Sequence, residues 1–139
     1  MFIFKQSKEM KVQISKEQET NIQTLDNIKK CCRCSQVIAF DIIFDDEIIG
    51  FAMFKKYTKK TFFLWDYVID IKHQNKGYGT RALVELGNML KRDYGVKKMT
   101  TTYIWGNNHA KHIYEKVGFI ETDVVDEPDC HEVNMEWIL

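Results

Sequence analysis

The sequence predicts an α/β protein, a mixed and mostly antiparallel sheet with helices on both faces. Three observations carry this. The apolar, β-branched runs Val37–Phe44 and 47–54 flank Asp45-Asp46 and read as a hairpin. Strand-like and helical runs alternate through the middle of the chain, and a second pair of strand-like runs closes the C-terminus.

Each element has its local signal. Ser15-Lys16-Glu17-Gln18 is a capping box, in which the serine accepts from the amide three residues on and Gln18 reaches back. Ile22, Leu25 and Ile28 recur at helical spacing, so one helix is expected over 16–31. Gly50 inside the second hairpin strand marks a bulge or a close backbone approach. Residues 61–70 are aromatic and β-branched and read as a strand, followed by a glycine-bearing loop over 73–79. Ala82, Leu83, Leu86, Met89 and Leu90 share one face of an amphipathic helix over 80–93, with Gly95 just past its end. Another strand is expected over 96–104. Asn107 or Asn108 caps a short helix that runs through Val117 and stops at Gly118. Strands over 119–125 and 132–138 surround the turn at 126–130.

Composition bounds the function. The chain has 139 residues, 45% hydrophobic and 29% charged, with one proline. That suits a single domain over 1–139 with a real core. No run of 18 apolar residues is present, so no membrane helix is expected. The N-terminal residues lack a secretory pattern, so a cytoplasmic protein is expected. The formal net charge is zero, which excludes a chain-wide basic field, and no nucleic-acid partner is expected. Charge is uneven, however. Glu121, Asp123, Asp126, Glu127, Asp129, Glu132 and Glu136 lie in the last 19 residues with no Lys or Arg. They are a solvated turn and strand faces, or they help draw in a cationic substrate. Cys31, Cys32, Cys34 and Cys130 read as reduced thiols, since no second ligand pair accompanies them, and no metal is expected. His109 and His112 read as helix-surface residues.

The chemically informative segment is Gln74-Asn75-Lys76-Gly77-Tyr78-Gly79-Thr80, between a strand and a helix. Its glycines allow unusual backbone angles, so loop and first-turn amides can point at one anion, where the helix dipole also favours negative charge. It is not a P-loop, because no Gly-Lys-Ser/Thr follows, and the third glycine of a dinucleotide fingerprint is missing.

A second segment sharpens this reading. Gln74-x-x-Gly77-x-Gly79 and Asn107-x-x-Ala110-x-x-Ile113-Tyr114-Glu115-Lys116-x-Gly118-Phe119 together resemble the two signature motifs of the GNAT N-acetyltransferase superfamily. Runs over 49–54, 64–70 and 73–79 further resemble bacterial spermine/spermidine (diamine) acetyltransferases. The sequence departs from them in a shorter N-terminus, which leaves the first strand and helix open, and in a later acidic loop that lacks the usual glycine-glutamate turn.

The resemblance implies that acetyl-CoA lies in a V-shaped split between strands 61–70 and 96–104. Val68, Ile69 and Asp70 would offer backbone groups to its pantetheine arm. Amides of Gln74, Asn75, Lys76, Gly77, Tyr78, Gly79 and Thr80 would hold the pyrophosphate. Asn107 would lie near the thioester, with Tyr114 beside the sulfur as general acid. The implied acceptor is a small amine such as spermidine or spermine, with protein amines or an aminoglycoside as enzyme alternatives and a non-catalytic CoA-binding module as the other. Asp66, Asp70 and the C-terminal acids are the candidate bases. A homodimer is a further expectation carried by the resemblance.

Overall fold

The computed structural model describes residues 1–139. Seven strands form one sheet in the order β1-β2-β3-β4-β5-β7-β6. These are β1 (Phe2–Gln6), β2 (Val37–Phe44), β3 (Glu47–Lys56), β4 (Thr61–Ile69), β5 (Lys98–Ile104), β6 (Ile120–Glu127) and β7 (Cys130–Ile138). Four helices complete the chain: α1 (Lys16–Glu19), α2 (Leu25–Cys32), α3 (Tyr78–Tyr94) and α4 (Asn108–Val117). Every strand pair is antiparallel except β4 with β5. The first strand, left open by the sequence, is present: Phe2 to Gln6 pair along β2.

Local signals explain most boundaries. Asp45 and Asp46 both take positive φ, 51° and 63°, which is the backbone of a two-residue hairpin turn whose twist matches its strands. Both readings of Gly50 hold. The β2–β3 register slips beside it, and a Cβ there would sit 2.8 Å from the Val68 carbonyl. Asn107 caps α4 by accepting from the Ala110 amide at 3.2 Å.

The single helix expected over 16–31 is instead two. Residues 20–24 break it: Thr20 folds back on the Glu17 carbonyl at 2.7 Å, and Thr24 starts α2 as an N-cap, accepting from the Asn27 amide. Between them Gln23 is drawn to Asp66 on β4. A contact across 43 residues has overridden helical periodicity.

Helices lie on both faces. The larger core holds Leu83, Leu86 and Leu90 of α3 against Phe54, Phe62, Leu64 and Met99, with α4 packed alongside. The smaller core holds Ile28 and Cys32 of α2 against Phe51, Met53 and Val68, and reaches only β2, β3 and β4.

Two features of β4 create the site. Opposite β3, Met53 pairs with Asp66 and Phe54 with Leu64, so Trp65 is an extra, bulged residue. The bulge reverses side-chain parity. Phe62 and Leu64 face the larger core; beyond Trp65, Tyr67 and Ile69 face it, while Asp66 and Val68 turn to the other side. Opposite β5, pairing runs only from Thr61↔Lys98 to Leu64↔Thr101. Past that point the strands part. The buried Thr101 hydroxyl pins the apex, donating to the Leu64 carbonyl at 3.0 Å. Thr101→Val keeps the shape and strands that carbonyl, so chemical denaturation should show a loss of about 1–3 kcal/mol. An unchanged midpoint and slope would show that the pin contributes nothing.

Candidate active site

The parted strands, the 74–80 loop and α4 enclose a cleft of ≈ 360 Å³. β4 contributes Val68 and Ile69 to its wall; the loop and the start of α3 contribute Gln74, Asn75, Gly77, Tyr78, Gly79 and Thr80. Asn107 and Tyr114 approach from the other side. Of the cofactor-binding residues and the general acid singled out in the sequence, only Asp70 and Lys76 are not part of the lining, and none of the candidate bases is part of it. Asp70 gives its amide to the Ile49 carbonyl at 2.7 Å, and its carboxylate accepts from the Gln13 and Lys72 amides. It caps the short 3₁₀ turn Ile71–His73.

The loop is shaped as an anion cradle. Asn75 and Gly77 both have positive φ, 62° and 79°, alternating with ordinary residues, which turns successive N–H groups toward one side. Gly77 is the N-cap of α3 and offers no side-chain cap. None of the amides from residue 74 to residue 80 donates to a protein acceptor; the first to do so is that of Arg81, to the Gly77 carbonyl. Seven consecutive unpaired donors at the start of a 17-residue helix need an outside acceptor, water or an anion. The loop itself is held firmly. Gln74 donates to the Ile69 carbonyl at 3.0 Å and to Gln18 at 2.7 Å, which joins it to the capping box of α1. The Tyr67 hydroxyl donates to the Gly79 carbonyl at 2.6 Å.

Other lining residues escaped the sequence reading. His109, His112 and Lys116 are cleft residues, although the histidines read as plain helix surface. Their i, i+3, i+7 spacing places them on one stripe of α4, and that spacing is the missed signal. With His73 they line the cleft with ring nitrogens and one lysine ammonium, and no carboxylate lines it. Cys31 and Cys34 have C-x-x-C spacing at the end of α2, but no three His, Cys, Asp or Glu side chains converge as for a metal ion.

Tyr114 sits in the cleft wall against Phe119, ring centroids 5.4 Å apart. Burial pushes its phenol above the usual tyrosine range; the Thr101 hydroxyl opposes this and the Asp66 charge adds to it. Burial raises Tyr67 still further, with Tyr114 as the lesser cause. Burial also raises the carboxyl of Asp66, while two hydrogen bonds from Gln23 pull it back.

Residues 7–119 match the acetyltransferase (GNAT) family, and the chain belongs to that family. It is 35% identical over 63 residues to the uncharacterized N-acetyltransferase YycN of Bacillus subtilis (strain 168); the match takes in 45% of this chain and 40% of that protein. The fold is similar to a GNAT family acetyltransferase from Elizabethkingia anophelis with acetyl-CoA bound (TM-score 0.75, 15% identity, 99% of this chain and 98% of that one). It is also similar to the aminoglycoside acetyltransferase AAC(6')-Ib in complex with coenzyme A and kanamycin (0.68, 23%, 83% and 77%). A mutant spermidine N-acetyltransferase SpeG from Vibrio cholerae gives 0.71 at 16% identity, over 83% of this chain and 75% of that one. At these identities the three structures speak for the fold. No helix here is long and apolar enough to cross a membrane.

The electrostatics can be checked by ultraviolet titration. Three of the six tyrosines, Tyr67, Tyr103 and Tyr114, are shifted upward, so about half of the phenolate absorbance should appear in a separate late phase with its midpoint above the ordinary tyrosine value of ~10. Tyr114→Phe should shrink that late phase and leave the early one intact. A loss from the early phase would contradict the raised phenol.

Proposed function

We propose that the protein is an acetyl-CoA-dependent N-acetyltransferase, and that its acceptor is a primary amine of spermidine, spermine or a similar small amine. The observation that carries this is the row of unpaired amides at 74–80, set at the mouth of a cleft whose far wall holds a buried phenol. A linked pair of phosphates suits the cradle: it accepts many hydrogen bonds at once and is negative where the helix start is positive. The family supplies the chemistry; the resemblance over residues 49–79 supports the polyamine.

Charge supports a cationic acceptor at the rim rather than inside. Glu132 pairs across from the lining residue Ile104, and Glu121 accepts from the Tyr103 hydroxyl at 2.9 Å. Both belong to the acidic C-terminal segment. The aminoglycoside alternative shares that requirement for negative charge, and only an acceptor panel separates the two.

Bound acetyl-CoA supplies the acetyl group: the amine nitrogen attacks the thioester carbonyl carbon, the C–S bond breaks, and coenzyme A leaves as a thiol. The chain's own residues do the rest. Beyond Leu64, β4 has no strand partner on the cleft side, so its amides there are available to the carbonyl oxygen. Tyr114 donates a hydrogen bond to the departing sulfur. An unperturbed phenol near ~10 facing a thiol near ~8.5 already makes full proton transfer uphill by roughly 2 kcal/mol. Burial raises the phenol further, so hydrogen-bond donation is its role.

The acceptor must lose a proton before it attacks. At pH 7 only about one alkylammonium in 10³ is neutral. Asp70 and Asp66 are both engaged by protein donors and neither is part of the lining. None of the C-terminal acids lines the cleft either, so the proton leaves to water there.

Three measurements test this. With acetyl-CoA and an amine panel, spermidine and spermine should be turned over best; equal rates for all amines would remove the polyamine, and no turnover would remove the activity. For the wild type, kcat/KM should rise about tenfold per pH unit toward pH ~10 as the neutral amine accumulates, with no falling limb from Tyr114, which stays protonated there. Tyr114→Phe should lower kcat by about 10²-fold and leave coenzyme A affinity within a factor of a few. An unchanged kcat takes Tyr114 out of the reaction.

A further inference from the structure

Asp66 is 3% exposed, yet it sits between two residues, Trp65 and Tyr67, that line the cleft. Its carboxylate faces the loop between α1 and α2. One oxygen accepts from the Gln23 side-chain amide at 2.8 Å and the other from the Gln23 main-chain amide at 3.3 Å. The side-chain carbonyl of Gln23 accepts from Asn27 at 3.0 Å and from the Cys31 thiol at 3.7 Å. Gln23 is thus held from both ends. The same loop carries Asn21 and Ile22, which form the cleft wall facing β4. The wall meets the 74–80 cradle at Gln18, whose carbonyl accepts from the Asn21 amide at 2.9 Å and whose side chain accepts from Gln74 at 2.7 Å; the cradle has further ties of its own, from Gln74 to the Ile69 carbonyl and from Tyr67 to the Gly79 carbonyl.

We propose that the Asn21–Ile22 wall contacts the amine and that Asp66 and Gln23 form the latch that fixes it, so that Asp66 is a positioning residue for the amine and not the base that deprotonates it. The proposal rests on the acetyltransferase reading for its kinetic consequence only. A buried carboxylate is tolerated when donors satisfy it, and here both donors come from one residue of the connection between two short helices. The helix expected across residues 20–24 gives way to supply them. The bulge at Trp65 is what aims Asp66 at this loop while its neighbours face the cleft.

The polarity of the latch can be exchanged, which separates it from base catalysis. Asp66→Asn alone sets an amide donor against the Gln23 amide. Gln23→Glu alone sets two carboxylates face to face. Combining Asp66→Asn with Gln23→Glu swaps donor and acceptor. The side-chain amide at position 66 then donates to the carboxylate at position 23, and its carbonyl oxygen still accepts from the main-chain amide there. The second oxygen of that carboxylate still accepts from Asn27 and Cys31. Each single variant should raise KM for the amine about tenfold, the scale of a disrupted charged hydrogen bond. KM for acetyl-CoA should stay within about a factor of two. The double variant should recover the amine KM to within about threefold. If Asp66 is the base, the double variant stays as impaired as Asp66→Asn, in kcat, and the proposal fails.

Amide hydrogen exchange provides the readout that needs no turnover. Exchange at Asn21–Thr24 should speed up at least about tenfold in each single variant and slow again in the double one, with the hydrogen-bonded amides of α3 beyond its first turn unaffected. Wild-type exchange rates in both single variants would overturn the latch. Inactivity of the wild type with a restored exchange pattern would instead count against the acetyltransferase reading. Gln23→Ala, at a half-buried position, provides the same kinetic and exchange tests should an Asp66 variant fail to fold.

Discussion

The structure turns on one constraint: β4 and β5 are paired for four residues and then separate. Strands that leave a sheet expose main-chain donors and acceptors, and a protein interior does not tolerate these without partners. Here the parting is pinned at its apex by Thr101, and the exposed groups open onto a cleft instead of onto other protein. The 74–80 loop extends the same condition around the corner into α3. Between them, strand edge and helix start gather a concentration of unpaired N–H groups that suits a ligand with many acceptor oxygens.

Around that opening, each neighbouring element is held by a specific polar tie. Gln74 binds both the end of β4 and the capping box of α1. The Tyr67 hydroxyl fixes the Gly79 carbonyl, which keeps the glycine-rich turn from collapsing into the space it frames. Asp66 fixes Gln23. The result is a preorganised site in which the donors are aimed before anything binds, the condition under which electrostatic stabilisation costs no reorganisation. His109, His112 and Lys116 of α4 line the cleft, while Glu132 of β7 pairs opposite the lining residue Ile104.

Much of this was readable from residue order. The hairpin at Asp45-Asp46, the caps of α4 at Asn107 and Gly118, and the close approach at Gly50 are local, and local chemistry decides them. The glycine loop was readable because its backbone angles depend on its own residues. Two features were not. Ile22, Leu25 and Ile28 obey helical spacing, yet the helix breaks between them because of a carboxylate 43 residues away from Gln23. Nothing near Trp65 announces a bulge, since its extra residue is defined only by pairing with β3. Asp66 therefore reads as a candidate base in sequence and as a partner of Gln23 in space. His109, His112 and Lys116 were a matter of viewpoint: their spacing was present, but only the cleft shows which way that face of α4 looks.

The central claim is that main-chain amides at 74–80 hold a diphosphate. Following backbone amide resonances while coenzyme A is added tests it most directly. The account predicts large, saturable shifts centred on residues 74–80, and their absence when pantetheine, which has no phosphates, is added instead. Shifts of equal size from pantetheine, or coenzyme A shifts confined to other parts of the chain, would contradict it.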